Sequence, residues 1–320
     1  MVDAVERCLT ALGEYLPLQQ LTAHAPMSRR TTLRLGGPAD VLAEISGEQQ
    51  IIAAIGCARQ LNIPVTVLGN GSNLLVRDGG IRGLVIHLGD GFSRVDGPTP
   101  LPDGRFSLTA QAGATLQKLC NAALDHGLEG LAFASGIPGT VGGAAYMNAG
   151  AYGGEIKDVI QSVRVVDAQG RVKVFSHQEM DFGYRHSIIA TMPQPCIITA
   201  VTVALSRGDA SAIRSEMEQY RARRREKQPL HLPSCGSTFK RPEGHFAGTL
   251  IEQCGLKGFR IGGASVSTLH AGFLVNDGKG TAADYLALIA HVQKTVFEKT
   301  GVTLEPEVRI IGEDAPAERV

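Results

Sequence analysis

The spacing of apolar positions divides the chain into strand-like and helical stretches. The first twenty residues mix acidic and apolar side chains at helical spacing. Val41 to Ile45 then reads as a strand, and Ser46-Gly-Glu-Gln49 as a capping box in which Ser46 bonds the amide of Gln49 and Gln49 reaches back. Ile51, Ile52, Ile55, Ala58 and Leu61 predict the helix that follows; Asn62 and Pro64 stop it, and Val65 to Leu68 returns as a strand. Further strands are expected at 84–88, 106–110 and 197–205, with a hairpin from Val163–Val166 and Val172–Phe175 around Asp167-Ala-Gln-Gly170. Thr115 caps a helix carrying Leu116, Leu119, Cys120, Ala123 and Leu124, which Gly127 ends. The texture changes at Ser206-Arg-Gly-Asp209, where a long charged helix begins at Ala210 and runs to about Lys227, with Ile213, Met217 and Tyr220 on one face. Beyond it lie short strands at 264–267 and 272–275, a helix from Thr281 with Leu286, Ile289, Val292 and Val296 inward and Gly301 as its cap, and a last strand at 308–311. This change of texture predicts a domain boundary near residue 207.

Composition narrows the function classes. The 31 Lys+Arg balance 31 Asp+Glu, so there is no overall field to draw the chain onto nucleic acid or a lipid surface. A small-molecule partner is expected, with neither nucleic acid nor membrane insertion. No apolar run approaches the roughly 20 residues needed to span a bilayer, and the N-terminus lacks the basic region and apolar core of a secretory signal, which predicts a cytoplasmic protein. The six cysteines form no C-x-x-C pair and are read as small buried hydrophobes, with no metal site. The basic run Arg221 to Arg225 reads first as a solvated helix face.

Glycine is the informative residue. There are 39, and fourteen of them fall within 69–91 and 136–154. Gly69-Asn-Gly-Ser-Asn73 follows a strand and starts like a dinucleotide fingerprint, but Leu74 stands where the third glycine belongs and no Lys-Ser/Thr follows. What remains is a turn whose amides, with Ser72 and Asn73, form a nest for anionic oxygens; an ordinary hairpin turn is the equal alternative. A second stretch, Ser135 to Gly154, holds seven glycines with alanine at many of the other places. Its backbone is able to lie directly against a large flat ligand. Two such loops suit a mildly anionic cofactor with a pyrophosphate to hold and a ring system to cover.

Six motifs occur in a recognisable order: Gly69-Asn-Gly-Ser-Asn-Leu-Leu75, Gly136-Ile-Pro-Gly-Thr-Val-Gly-Gly143, Asn148-Ala-Gly-Ala-Tyr-Gly153, Tyr184-Arg-His-Ser187, Cys235-Gly-Ser-Thr-Phe-Lys240 and Glu305-Pro-Glu-Val-Arg309. From about Thr31 to Gly312 the chain resembles the UDP-N-acetylenolpyruvoylglucosamine reductase family, FAD enzymes of bacterial peptidoglycan precursor synthesis. That resemblance implies an α+β fold: after an N-terminal helical segment (1–30), an FAD-binding fold of the vanillyl alcohol oxidase/PCMH type in two subdomains (31–95 and 96–206), plus a C-terminal α+β substrate-binding domain (207–320). It implies non-covalent FAD, consistent with the lack of His or Cys inside the two loops, and NADPH as the reductant. The reaction it implies is reduction of UDP-N-acetylglucosamine enolpyruvate to UDP-N-acetylmuramate in two half-reactions. The short passage from Arg185 to the strand at Ile197 resembles type II members, which lack a tyrosine loop; a monomer is expected.

Residue roles come from the same resemblance. Ser237 matches the proton donor, and Arg185 and Glu307 match the pair that polarises the substrate carboxylate. The expected FAD contacts are Gly69, Asn70, Gly71, Ser72, Asn73, Ser135, Gly136, Ile137, Pro138, Gly139, Thr140, Gly142, Gly143, Asn148, Gly150, Tyr152 and Gly153. Tyr184, Arg223, Lys227 and Lys240 are expected near the nucleotide-sugar. Read alone, Ser237 is a turn serine, Arg185 a surface arginine and Glu307 a strand-start carboxylate. Two other functions stay open on the residues: a flavin oxidase of a sugar or lactone, and a non-enzymatic nucleotide-binding regulator.

Overall fold

The computed structural model describes residues 4–316. The outermost parts of the first and last predicted segments, residues 1–3 and 317–320, lie outside the described residues. The elements in chain order are α1 (Ala4–Gly13), β1 (Leu21–Pro26), β2 (Pro38–Glu44), α2 (Glu48–Leu61), β3 (Val65–Leu68), β4 (Leu74–Val76), β5 (Ile81–His87), β6 (Val95–Pro100), β7 (Phe106–Gln111), α3 (Leu116–Asp125), β8 (Leu128–Glu129) and α4 (Val141–Met147). They continue with β9 (Gly150–Ala151), β10 (Gly154–Glu155), β11 (Ile160–Val166), β12 (Val172–Ser176), β13 (Ile197–Arg207), α5 (Ala210–Lys227), α6 (Ala247–Gln253), β14 (Arg260–Ile261), β15 (Ala264–Val266), β16 (Leu274–Asn276), α7 (Ala282–Thr300) and β17 (Arg309–Ile311).

Most of these follow from local chemistry. Thr115 accepts from the amide of Lys118 and opens α3. Thr281 and Asp284 form a reciprocal capping box at the start of α7, and Gly301 closes it in the left-handed conformation. One expectation is corrected: α2 starts after Gly47, and Gln50, not Gln49, reaches back to the Ser46 amide at 2.8 Å. The expected box does not form, because the Ser46 hydroxyl donates to Gln50 Oε1 and accepts from Gln20 Nε2 instead of meeting a helix amide.

The chain forms two compact units, each discontinuous in sequence, whereas the sequence reading divides it into consecutive segments at 30, 95 and 206. Unit 1 holds the residues up to Ala23, Val41–Asn70 and Gly83–Arg223. Its centre is an antiparallel sheet of order β12-β11-β13-β7-β6, with β8 also paired to β13. Val163 and Val165 on β11, Val201 and Val203 on β13 and Leu108 and Ala110 on β7 alternate inward with polar neighbours. They form one core with the inner faces of α2, α3 and α4. The β11–β12 pair is the hairpin expected around Asp167, and β3 lies parallel to β5 from Val65↔Leu84 to Leu68↔His87.

Unit 2 holds His24–Asp40, Gly71–Arg82 and the residues from Arg224 onward. A small antiparallel sheet, β14-β15-β16, and a parallel pair, β4 with β17, share its core with α6 and α7. The inward stripe of α7 is Tyr285, Leu288, Ile289, Val292 and Val296. Tyr285 heads it and is fully buried.

Candidate active site

The predicted residues fall into two clusters, one in each unit. In unit 1 the two glycine-rich loops touch. Asn70 Nδ2 donates to the Pro138 carbonyl at 2.7 Å. A Cβ on Gly69 would overlap Thr140 Oγ1 and lie 3.3 Å from its Cγ2, so only glycine lets the loops meet at this distance. Thr140 is itself fixed, because its hydroxyl caps α4 by accepting from Gly143 N at 3.3 Å. No Asp, Glu, Lys or Arg occurs anywhere from Ser135 to Gly154. The stretch therefore offers main-chain amides and hydroxyls with no charged side chain of its own, a donor set suited to a diphosphate.

Within the second loop the structure separates exposed glycines from packing residues. Gly143 and Gly153 are exposed, while Gly136, Ile137, Gly139 and Gly150 are half-buried. Gly142 is buried, and a Cβ there would sit 2.7 Å from that of Ala112, so this glycine seats α4 against the end of β7. Asn148 is also fully buried and adopts a left-handed conformation at the end of α4. Its side chain donates to Glu155 Oε2 and the Gly183 carbonyl and accepts from Lys157 N. Ser135 is buried with its hydroxyl directed at the Ala132 carbonyl. The side chains of Asn148 and Ser135, with the close backbone seat of Gly142, brace the loop from beneath.

Arg185 docks on the same loop. Its guanidinium donates to the Asn148 carbonyl at 3.4 Å and the Gly150 carbonyl at 3.3 Å and lies 5.2 Å from the centre of the Tyr184 ring. Tyr184 is half exposed. Tyr152 stacks on Tyr220 of α5 with ring centres 4.5 Å apart, and its hydroxyl donates to the Tyr220 carbonyl. Arg223 is exposed, its guanidinium 6.0 Å from the Tyr220 ring. The basic run is thus mixed: Arg223 and Arg225 are solvated and Arg221 and Arg224 half-buried.

The second cluster lies in unit 2 and is built on the segment 234–240. Gly236 takes a positive φ of 80° and turns the chain, leaving Ser237 exposed between two buried residues, Cys235 and Thr238. Thr238 N donates to the Gly272 carbonyl, and the Thr238 carbonyl accepts from Glu307 N at 2.8 Å. One residue therefore ties Ser237 to Glu307, 70 positions apart in sequence. Asn73 completes the arrangement: its Nδ2 donates to the Glu307 carbonyl at 3.1 Å and its own carbonyl accepts from Arg309 N. Gly71 has a φ of 60° and lies hard against the Arg30 and Thr31 backbone, which anchors Ser72 and Asn73. Lys240 pairs with Glu305 at 3.2 Å at a solvated edge, and Lys227 is exposed at the end of α5. Burial pushes the Cys235 thiol up to about 11, with the Glu307 carboxylate a smaller influence in the same direction. It is no nucleophile at neutral pH.

Sequence reasoning missed Thr238 and Tyr285, whose side chains bond beneath the Ser237 turn. The signal for Tyr285 was its place four residues before Ile289, in register with the inward stripe.

Comparison with known proteins decides the family. Residues 228–311 match the family described as UDP-N-acetylenolpyruvoylglucosamine reductase, C-terminal domain. Residues 39–176 match the FAD binding domain family and span both glycine-rich loops. A UDP-N-acetylenolpyruvoylglucosamine reductase from Levilactobacillus brevis is 48% identical over 95% of this chain and 97% of its own length. The chain belongs to the UDP-N-acetylenolpyruvoylglucosamine reductase family. The relative of that name from Limosilactobacillus fermentum is 51% identical over 92% of this chain and 96% of its own length. The crystal structure of UDP-N-acetylenolpyruvylglucosamine reductase from Thermus caldophilus superposes with a TM-score of 0.76 at 34% identity, over 91% of this chain and 97% of that one. The expected α+β fold holds: an FAD binding domain followed by the family's C-terminal domain. Membership makes the chain an FAD- and NADPH-dependent reductase of peptidoglycan precursor synthesis. No described helix is long and apolar enough to cross a membrane.

Proposed function

We propose that Ser237 donates the proton in the reduction of UDP-N-acetylglucosamine enolpyruvate to UDP-N-acetylmuramate, with Arg185 and Glu307 acting on the substrate carboxylate. The chemistry supplied by bound FAD is hydride relay from NADPH to the enolpyruvyl group. What the chain must add is a proton for the carbon beside the carboxylate, and charge to hold the enolate that precedes it. The observation that carries the reading is the exposed hydroxyl of Ser237 at a glycine turn, joined through the Thr238 main chain to Glu307. A serine is a weak acid, but an enolate next to a carboxylate is basic enough to take its proton at hydrogen-bond reach. Arg185 presents a planar fork whose orientation is set by the carbonyls of Asn148 and Gly150, the geometry a carboxylate accepts best.

FAD is held non-covalently by the loops at Gly69–Asn73 and Ser135–Gly153, with Gly142, Asn148 and Ser135 acting through packing. Tyr184, Arg223, Lys227 and Lys240 contact the nucleotide-sugar. Residues 186–196 contain only a short helical turn at Ile188–Ala190 before β13, which supports the type II form. The enzyme works as a cytoplasmic monomer, and size-exclusion chromatography with light scattering checks the monomer. The activity is tested by visible absorbance. NADPH should bleach the purified yellow protein, and UDP-N-acetylglucosamine enolpyruvate should restore the colour without oxygen. A colourless protein, or colour restored by oxygen alone, contradicts the reading.

A further inference from the structure

The Ser237 turn is clipped from below by one phenol. Tyr285 Oη lies 3.2 Å from Cys235 Sγ, 3.1 Å from Thr238 Oγ1 and 3.1 Å from the Leu274 carbonyl. The protons in this cluster can be assigned by counting. A carbonyl only accepts, so the single phenol proton goes to Leu274 O. The Thr238 hydroxyl already accepts from Leu274 N at 3.2 Å, so its own proton points to Tyr285 Oη. Cys235 donates its thiol proton to the other lone pair of the same oxygen. Each bond has one orientation, and all four groups are buried.

The residues on either side of Gly236-Ser237 thus end on a single oxygen. That oxygen is rigidly held. Tyr285 lies in the first turn of α7, which is fixed by its own capping box and by Asp78, whose carboxylate accepts from Ala282 N at 2.8 Å and Ala283 N at 2.9 Å. The turn above it has Gly236 at positive φ, with open space where a Cβ would be. Direction must come from its two ends.

We propose that Tyr285 is a positioning residue for proton donation: its phenol oxygen clips Cys235 and Thr238 and thereby fixes where the Ser237 hydroxyl points. The inference rests on the role given to Ser237 above. Thr238 also holds Glu307 through its carbonyl, so the clip sets both groups. It needs Cys235 as a neutral thiol, and the upward shift of that thiol keeps it so across the working pH range.

The test is Tyr285→Phe, which removes the oxygen and keeps the ring, read by anaerobic stopped-flow absorbance on the flavin-loaded protein. The expected result has three parts. Bleaching by NADPH stays within about twofold of the unmodified protein, recovery on adding substrate slows about tenfold or more, and the slowing from H2O to D2O in that recovery step grows. Cys235→Ala, which removes one arm of the clip at small cost in volume, should give the same pattern more weakly. Unchanged recovery in both variants, or bleaching and recovery slowed by the same factor, overturns the proposal. Ser237→Ala run beside them separates the two claims. If that variant recovers colour normally, the role of Ser237 fails; if it is blocked while Tyr285→Phe behaves normally, only the clip fails.

Discussion

Gly69→Ala is the sharpest test of how the two cofactor loops meet. The added methyl falls on Thr140 Oγ1, closer than real Cβ contacts come, with Thr140 Cγ2 and Cβ at 3.3 and 3.4 Å behind it. Thr140 is 5% exposed. Its hydroxyl cannot turn away without giving up the α4 cap, a loss of about 1 kcal/mol. Forcing one extra methyl into a fixed contact costs about 1–3 kcal/mol, and the two together lower the melting temperature by several degrees at about 2–4 °C per kcal/mol. Because the strain lies where both loops approach, flavin retention on dilution should fall with stability. Thr140→Ala alone loses the cap, but in the double variant it removes the clashing oxygen, so the pair is less destabilised than the sum of the singles. Thermal melts and visible absorbance after gel filtration of all four proteins read the cycle. A Gly69→Ala protein that melts and holds flavin like the unmodified one, or a double variant that is simply additive, refutes the claim that this contact sets the loop spacing.

Arg185→Lys should retain flavin and be bleached by NADPH normally, yet recover with substrate about 100-fold or more slowly, because a single ammonium cannot keep the fork held by the Asn148 and Gly150 carbonyls; stopped-flow absorbance checks this. Burial lowers the His270 pKa, with the Lys257 cation acting in the same direction, and Gly272 N donates to its bare Nδ1 at 3.1 Å. The unfolded chain therefore binds a proton first as pH falls below about 6.5, so stability should drop through that range and His270→Gln should flatten the curve in melts from pH 8 to 5. No disulfide joins the six cysteines, and of them only Cys196 is not buried; alkylation of the native protein followed by peptide mass mapping should label Cys196 first and leave Cys120 and Cys235 intact until unfolding.

The sequence reveals some elements and not others, for physical reasons. Helices with a strong cap and a single apolar stripe, α3, α5 and α7, are readable because local signals agree with tertiary packing. Helix α4 is not, because Gly142 and Gly143 weaken a seven-residue helix that exists only through its cap at Thr140 and its seat on Ala112. Strands β1 and β6 and helix α6 are equally quiet in sequence; β6 carries two prolines and a register shift between Asp96 and Thr99. The candidate site divides in the same way. Glycine clustering points to both loops, but nothing local distinguishes Gly143, which is exposed, from Gly142, which packs. The union of Asn73, Thr238 and Glu307 joins segments up to 234 residues apart and is visible only once folded.

The central claim is that Ser237 gives the proton. Ser237→Ala, loaded with FAD and mixed without oxygen first with NADPH and then with UDP-N-acetylglucosamine enolpyruvate, tests it most directly. The account predicts bleaching at the normal rate and recovery slowed by about 100- to 10,000-fold; recovery at the normal rate contradicts it.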